Sequence, residues 1–182
     1  MDDVKNALLF GYKGITCTDT EIIKNIDFEC GYSTDWTFQT LGDQVEGTYQ
    51  NALGDSRSGT LGAKISISKN DVYNKAILKN ITVNDPSVYS GKTIEVKFFA
   101  KASTENQKIK IRFKHITSGN ASYTPSQELA LTMEYTQDPL VFSFEVPDNT
   151  SELQLQVLFG AYIGDYFIDD FSLEITNTLS NN

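Results

Sequence analysis

The 182-residue sequence is poor in the residues that most often mark chemistry: one His, one Trp, two Cys, two Met and four Pro. A single histidine leaves little room for imidazole catalysis. His115 follows Lys114, and no serine, cysteine or carboxylate pattern marks it as a triad member. Cys17 and Cys30 have neither CxxC nor Cys/His spacing, which excludes the common zinc motifs. Pairing between them is open, and free thiols are the expected state because nothing in the sequence forces a bond. Cations are scarce: 15 Lys plus Arg stand against 24 Asp plus Glu, a net charge of −9. Such a chain is a poor general nucleic-acid binder, since phosphate neutralisation needs clustered cations. No apolar run approaches the ~20 residues of a membrane span. The start, Met1-Asp2-Asp3-Val4-Lys5, is acidic, and the apolar patch after it, Ala7 to Phe10, is too short for a secretory leader. The expectation is an unsecreted chain at its native start, or one whose leader has been removed.

What the sequence does have is aromatic and β-branched residues, with 11 Phe, 9 Tyr and 12 Gly. This bias leans towards an all-β protein. A chain of this length buries roughly 70% of its unfolded surface, enough for a core without metal or disulfide. The dominant pattern has period 2. Leu61, Ala63, Ile65 and Ile67 alternate with Gly62, Lys64, Ser66 and Ser68, and Ile94, Val96, Phe98 and Ala100 with Glu95, Lys97, Phe99 and Lys101. Ile109, Ile111 and Phe113 alternate with Lys108, Lys110, Arg112 and Lys114, and Leu153, Leu155, Val157 and Phe159 with Gln154, Gln156 and Leu158. Leu140 to Val146 is a further strand. Asn84-Asp85-Pro86, Ser90-Gly91, Ser118-Gly119-Asn120, Pro147-Asp148-Asn149 and Gly164-Asp165 supply turn chemistry between the runs. Short helical turns fit only Asp85 to Tyr89 and Gln127 to Leu131. Strands of this length and spacing, each with one apolar face, predict a two-sheet antiparallel β-sandwich. Residues 1–21 read as an N-terminal arm, 22–175 as the domain and 176–182 as a tail.

Four segments carry a family resemblance. Asn25-Ile-Asp-Phe-Glu-Cys-Gly-Tyr-Ser-Thr-Asp-Trp36 resembles the opening of carbohydrate-binding modules of the family 4, 9 and 22 type. Ser56-Arg-Ser-Gly-Thr-Leu-Gly-Ala-Lys-Ile-Ser-Ile67 is similar to the Gly/Ser-rich turn entering their next strand, and Phe98-Phe-Ala-Lys-Ala102 to a later strand end. Tyr166-Phe-Ile-Asp-Asp-Phe-Ser-Leu173 resembles their closing strand. The resemblance spans about Ile22 to Ile175 and implies a galactose-binding-like jelly roll that binds and does not catalyse.

It also implies two sites. The first is a structural Ca²⁺ held by Glu29 and Asp169, with Asp27, Thr60 and Ala63 contributing nearby oxygens, a mixed carboxylate and carbonyl set that suits Ca²⁺. Asp169 shares the strand parity of Phe167, Phe171 and Leu173, where a carboxylate needs a partner. The alternative is that Asp169 caps backbone N–H groups or pairs with Lys64 or Arg57. The second is a sugar platform with Tyr73 and Tyr123 as aromatic surfaces and Arg112, Gln154 and Gln156 as polar ligands. Tyr73 replaces the family's commoner Trp, Ala76 stands where a strand carboxylate is expected, and Leu158 is apolar. Trp36 is expected in the core. The ladder Lys108, Lys110, Arg112, Lys114 is a solvated strand face or an attractor for acidic glycans or an acidic partner. Asp169 and Asp170 are adjacent in a strand, point to opposite faces, and form no glycosidase dyad.

Two functions follow as expectations. One is non-catalytic recognition of an oligo- or polysaccharide. The other is a bacteriophage structural role, as a capsid decoration or fibre component, with the jelly roll used for assembly or host-glycan adhesion. There the arm, with its strand-forming patch Leu8 to Tyr12, would pair with other virion subunits or return to its own sheet. Either implies an extracellular or virion-surface location.

Overall fold

The computed structural model describes residues 24–31, 35–80 and 86–176. The arm, the tail beyond Thr176 and Cys17 lie outside the described residues. Eleven strands are present among those described: β1 (Trp36–Thr40), β2 (Glu46–Leu53), β3 (Leu61–Lys69), β4 (Ala76–Asn80), β5 (Thr93–Ala102), β6 (Lys108–Thr117), β7 (Asn120–Tyr123), β8 (Gln127–Ala130), β9 (Leu140–Glu145), β10 (Thr150–Leu158) and β11 (Gly164–Thr176). Two single 3₁₀ turns, Tyr73–Lys75 and Pro86–Tyr89, are the helical pieces among these residues.

The strands form two antiparallel sheets, as the period-2 pattern predicts. The six-stranded sheet runs β1-β4-β10-β6-β7, with β8 also paired to β6, and the five-stranded sheet runs β2-β3-β11-β5-β9. Their inner faces meet in one core. Phe28, Trp36, Phe98 and Phe171 pack in a row, with ring centroids 5.1 Å apart for Phe28–Trp36, 5.2 Å for Trp36–Phe171 and 5.0 Å for Phe98–Phe171. Phe113 of the six-stranded sheet stacks on Phe144 of the other at 3.9 Å. Burying each such ring contributes on the order of 1.5–3 kcal/mol, enough to fix which face turns inward. Trp36 is fully buried, as expected, and its Nε1–H donates to the Asn25 carbonyl at 3.0 Å. Gly160 lets two backbones approach: a Cβ there would lie 2.3 Å from the Val72 carbonyl oxygen.

Several expectations need correction. Gln127 to Leu131 is not a helical turn; β8 occupies Gln127–Ala130 because its backbone completes the β6 ladder, opposite Lys108 to Ile111. Gly164-Asp165 is not a turn but the start of β11. The expected parity of Asp169 also fails. Pairing of β11 with β5 shifts register between Asp169 and Ser172, and Asp170 adopts a positive φ of 50°. This bulge breaks the alternation, so Tyr166, Ile168, Asp169 and Phe171 are buried while Phe167 is half-buried. Finally, Cys30 is disulfide-bonded, against the free-thiol expectation. A bond requires Cα atoms within about 7 Å, a proximity that folding supplies and a sequence without a cysteine motif does not announce.

Candidate functional site

Antiparallel register lines up the outward residues of the six-stranded sheet in rows. Thr37, Lys79, Gln156 and Arg112 stand opposite one another across β1, β4, β10 and β6. Gln154, Lys114 and Tyr123 form a parallel row across β10, β6 and β7. The inward partners on the same strands, Ile111, Phe113, Leu155 and Val157, lie in the core. The sandwich thus holds the polar row rigidly from below.

These rows floor a cleft of about 290 Å³, lined among others by Gln39, Lys79, Arg112, Lys114, Tyr123, Gln154 and Gln156. The Arg112 guanidinium lies 3.8 Å from the Tyr123 ring centroid and donates from Nε to Gln156 Oε1 at 3.0 Å. Gln156 Nε2 in turn donates to Gln154 Oε1 at 3.1 Å, and Lys79 Nζ donates to Gln39 Oε1 at 2.9 Å. Burial pushes the Arg112 guanidinium below its ordinary pKa, partly opposed by Tyr123. Tyr123 remains 48% exposed, so its ring offers an open surface beside the cation.

Of the residues expected to bind sugar, the structure brings Tyr123, Arg112, Gln154 and Gln156 together. It does not bring Tyr73 to them. Tyr73 sits on the 3₁₀ turn before β4, and its neighbour Asn74 reaches the cleft instead. The Tyr73 hydroxyl donates to Glu128 Oε2 at 3.0 Å, while its ring meets Tyr162 edge-on at 6.0 Å and Lys110 Nζ at 4.5 Å. Glu128 also pairs with Lys108 at 2.8 Å. Burial, reinforced by Tyr162 and Glu128, raises the Tyr73 hydroxyl far above its ordinary value, so it stays a proton donor.

Sequence reasoning missed Lys79, Gln39 and Asn74. In Ala76-Ile-Leu-Lys-Asn80 three consecutive apolar residues hide the alternation, because outward-facing Ile77 is itself buried. In strand β1 the apolar alternation is only Trp36 and Phe38, too short a run to mark Gln39 as outward. A hollow of about 630 Å³ between the β7–β8 connection and β9 is larger, but Glu145 is the one charged side chain in its lining and no guanidinium or aromatic hydroxyl converges there.

The residues expected to hold Ca²⁺ also gather at one place, the segment between β2 and β3. Glu29 Oε1 accepts from the N–H groups of Thr60 at 2.6 Å and Leu61 at 2.8 Å. Fully buried Asp169 accepts from the N–H groups of Arg57 at 2.8 Å and Ser58 at 3.3 Å through Oδ2, and of Asp170 at 2.9 Å through Oδ1. Asp27 Oδ1 accepts from the Glu29 N–H at 3.3 Å. Thr60 thus presents its N–H here, and Ala63 is buried within the β3 ladder. The carboxylate oxygens meet backbone donors, the capping alternative, and no group of three or more His, Cys, Asp or Glu suited to a metal occurs among the described residues. Burial, with the Asp170 charge beside it, pushes the Asp169 carboxyl up to about 7. Lys64 pairs with Asp165 rather than Asp169. The bulge also brings Asp169 and Asp170 to the same segment rather than to opposite faces, for Asp170 accepts from Arg57 Nη1 at 3.1 Å and Ser58 Oγ at 2.7 Å.

The chain has a two-sheet antiparallel β-sandwich fold like that of solved carbohydrate-binding modules. A family 4 carbohydrate-binding module superposes with a TM-score of 0.59 at 18% identity, covering 78% of this chain and 86% of that one. The CBM22-2 xylan-binding domain of Xyn10C from Paenibacillus barcinonensis gives 0.60 at 16% identity, covering 83% and 98%. The enzymatically active domain of tailspike protein 4 from bacteriophage CBA120 gives 0.61 at 16% identity, covering 85% of this chain, which spans only 21% of that one. Identities this low carry the fold and nothing finer. No protein-family model matches the sequence, and no curated protein matches it.

Proposed function

We propose that this chain is a non-catalytic carbohydrate-binding domain that holds a segment of oligo- or polysaccharide in the cleft of its six-stranded sheet. The observation that carries this reading is the convergence of Tyr123, Arg112, Gln154 and Gln156 on one open cleft. An exposed ring offers an apolar surface to a sugar face, and the guanidinium and amides offer donors and acceptors to its hydroxyls. The cleft lining contains no Asp or Glu, so the two-carboxylate chemistry of glycoside cleavage has no residues there. Structural neighbours that bind xylan and β-1,4-galactotriose support the same reading. The bonded Cys30 suits an oxidising, extracellular setting. No helix among the described residues is long and apolar enough to cross a membrane.

The likeness to part of a phage tailspike supports a second reading, in which the domain is a virion component and the same cleft serves adhesion. Glycan arrays and affinity gels test the shared element. Wild type is retained by at least one glycan, and Tyr123→Ala loses about 2 kcal/mol, roughly thirtyfold in Kd, as expected for a central aromatic. Absence of any ligand, or retention unchanged by Tyr123→Ala, refutes it.

A further inference from the structure

The protein carries a net charge of −9, yet the cleft is lined by Lys79, Arg112 and Lys114 and by no carboxylate. Elsewhere the surplus acids take up cations: Lys64 pairs with Asp165, Lys101 with Asp55, Lys97 with Glu95 and Glu174, and Lys108 with Glu128. Among the described residues, none of the three cleft cations forms such a pair. On the same face, Glu128 is held by Lys108, Lys110 and Tyr73, and Glu152 stands opposite Ile116, beyond the cleft lining.

Register fixes how the cations are spaced. Lys79 and Arg112 flank Gln156 across two strand intervals, about 10 Å, and Lys114 follows Arg112 two residues along β6, about 7 Å. Three positive charges therefore surround the Gln154–Gln156 pair. Arg112 is half-buried, with Nε committed to Gln156 and its Cζ over the Tyr123 ring. A partly desolvated guanidinium without a counter-charge is costly, and its fork matches the paired oxygens of a carboxylate or sulfate.

Resting on the carbohydrate-binding reading, we propose that the cleft selects acidic saccharides, seating an anionic substituent of the sugar among Arg112, Lys114 and Lys79 while the ring lies beside Tyr123. Hydroxyl recognition alone would be served by amides and would not require three cations gathered in an acidic protein.

Matched ligand pairs test this by calorimetry: galacturonan and its methyl ester, glucuronoxylan and unsubstituted xylan, and a sulfated galactan with its desulfated form. At least one charged member binds about tenfold or more tightly than its neutral partner, the lower range of a charge-assisted contact. Preference confined to the first two pairs assigns a carboxylate, and preference confined to the third assigns a sulfate. Lys114→Gln and Arg112→Gln lower the preference, Lys114→Arg retains it, and Lys64→Gln on the other sheet leaves it unchanged. Thermal melts establish that each variant is folded. If neutral members bind as tightly as charged ones and Tyr123→Ala still weakens binding, the charge selectivity falls while the cleft reading stands. If no saccharide binds, both fall. A preference untouched in folded Lys114→Gln and Arg112→Gln also overturns the selectivity.

Discussion

Replacing Asp169 tests what holds the β2–β3 segment to the last strand. Its side chain is fully buried and accepts three backbone N–H groups, from Arg57, Ser58 and Asp170. Asp169→Ala removes both acceptor oxygens and with them all three hydrogen bonds. An N–H left without a partner costs about 1–3 kcal/mol, and Arg57 and Ser58 lie in an exposed segment where water recovers part of that loss. The expected destabilisation is therefore about 2–4 kcal/mol. Asp169→Asn keeps one oxygen, which can serve Arg57 and Ser58 together, and it removes the cost of burying a charge. Its expected cost is about 1 kcal/mol. Urea unfolding followed by the fluorescence of Trp36, the sole tryptophan and fully buried, reads both differences. Asp169→Ala within about 0.5 kcal/mol of wild type, or Asn as damaging as Ala, would refute the clasp; the threshold is the ordinary spread of neutral surface changes. Repeating the titration with added Ca²⁺ separates the two expectations for these oxygens. Ca²⁺ binding there raises the midpoint of wild type and not of Asp169→Asn, whereas a clasp complete in itself shows no shift.

Gly160→Ala places a Cβ 2.3 Å from the Val72 carbonyl oxygen, backbone against backbone, so it lowers the melting temperature by many degrees or prevents folding. An unchanged melt would show that the β3–β4 connection shifts freely. His115 is buried on the core side of β6, and desolvation holds its pKa below the ordinary 6.5. At His115 the unfolded chain therefore takes up a proton first as pH falls through 6.5, so this group's own contribution to stability drops on the acid side, opposite in sign to that of the raised Asp169 carboxyl. His115→Gln flattens that decline in melts at about pH 5 and pH 7.5, and an undiminished slope would assign it to other groups.

The fold was legible where one face of a strand is greasy and the other wet. The runs around Ile65, Val96, Ile111 and Leu155 each became a strand with the inward set foreseen. Strands β7 and β8 were not legible, because they are almost wholly exposed and owe their form to pairing with β6. Alternation also misled at Asp169, where an extra residue in the ladder turned a parity argument into the wrong orientation. In the cleft, Arg112, Gln154 and Gln156 were readable as the polar set of strands whose apolar set was obvious, but their neighbours across the sheet were not. Lys79 meets Gln156 only through register, a long-range property of the pairing. Tyr73 had the right residue type and a loop-like context, yet the turn before β4 directs its hydroxyl to Glu128 rather than to the cleft.

Arg112 and Phe113 are consecutive residues, one in the cleft and one in the core, and the same division runs along β4 and β10. The cleft lining and the core are therefore written in interleaved positions of the same strands. The outward letters at 79, 112, 114, 154 and 156 can be rewritten together while the inward ones stay unaltered. The sheet is thus a ready template for a combinatorial library: randomising those positions should change the chemistry of the cleft long before it changes whether the chain folds.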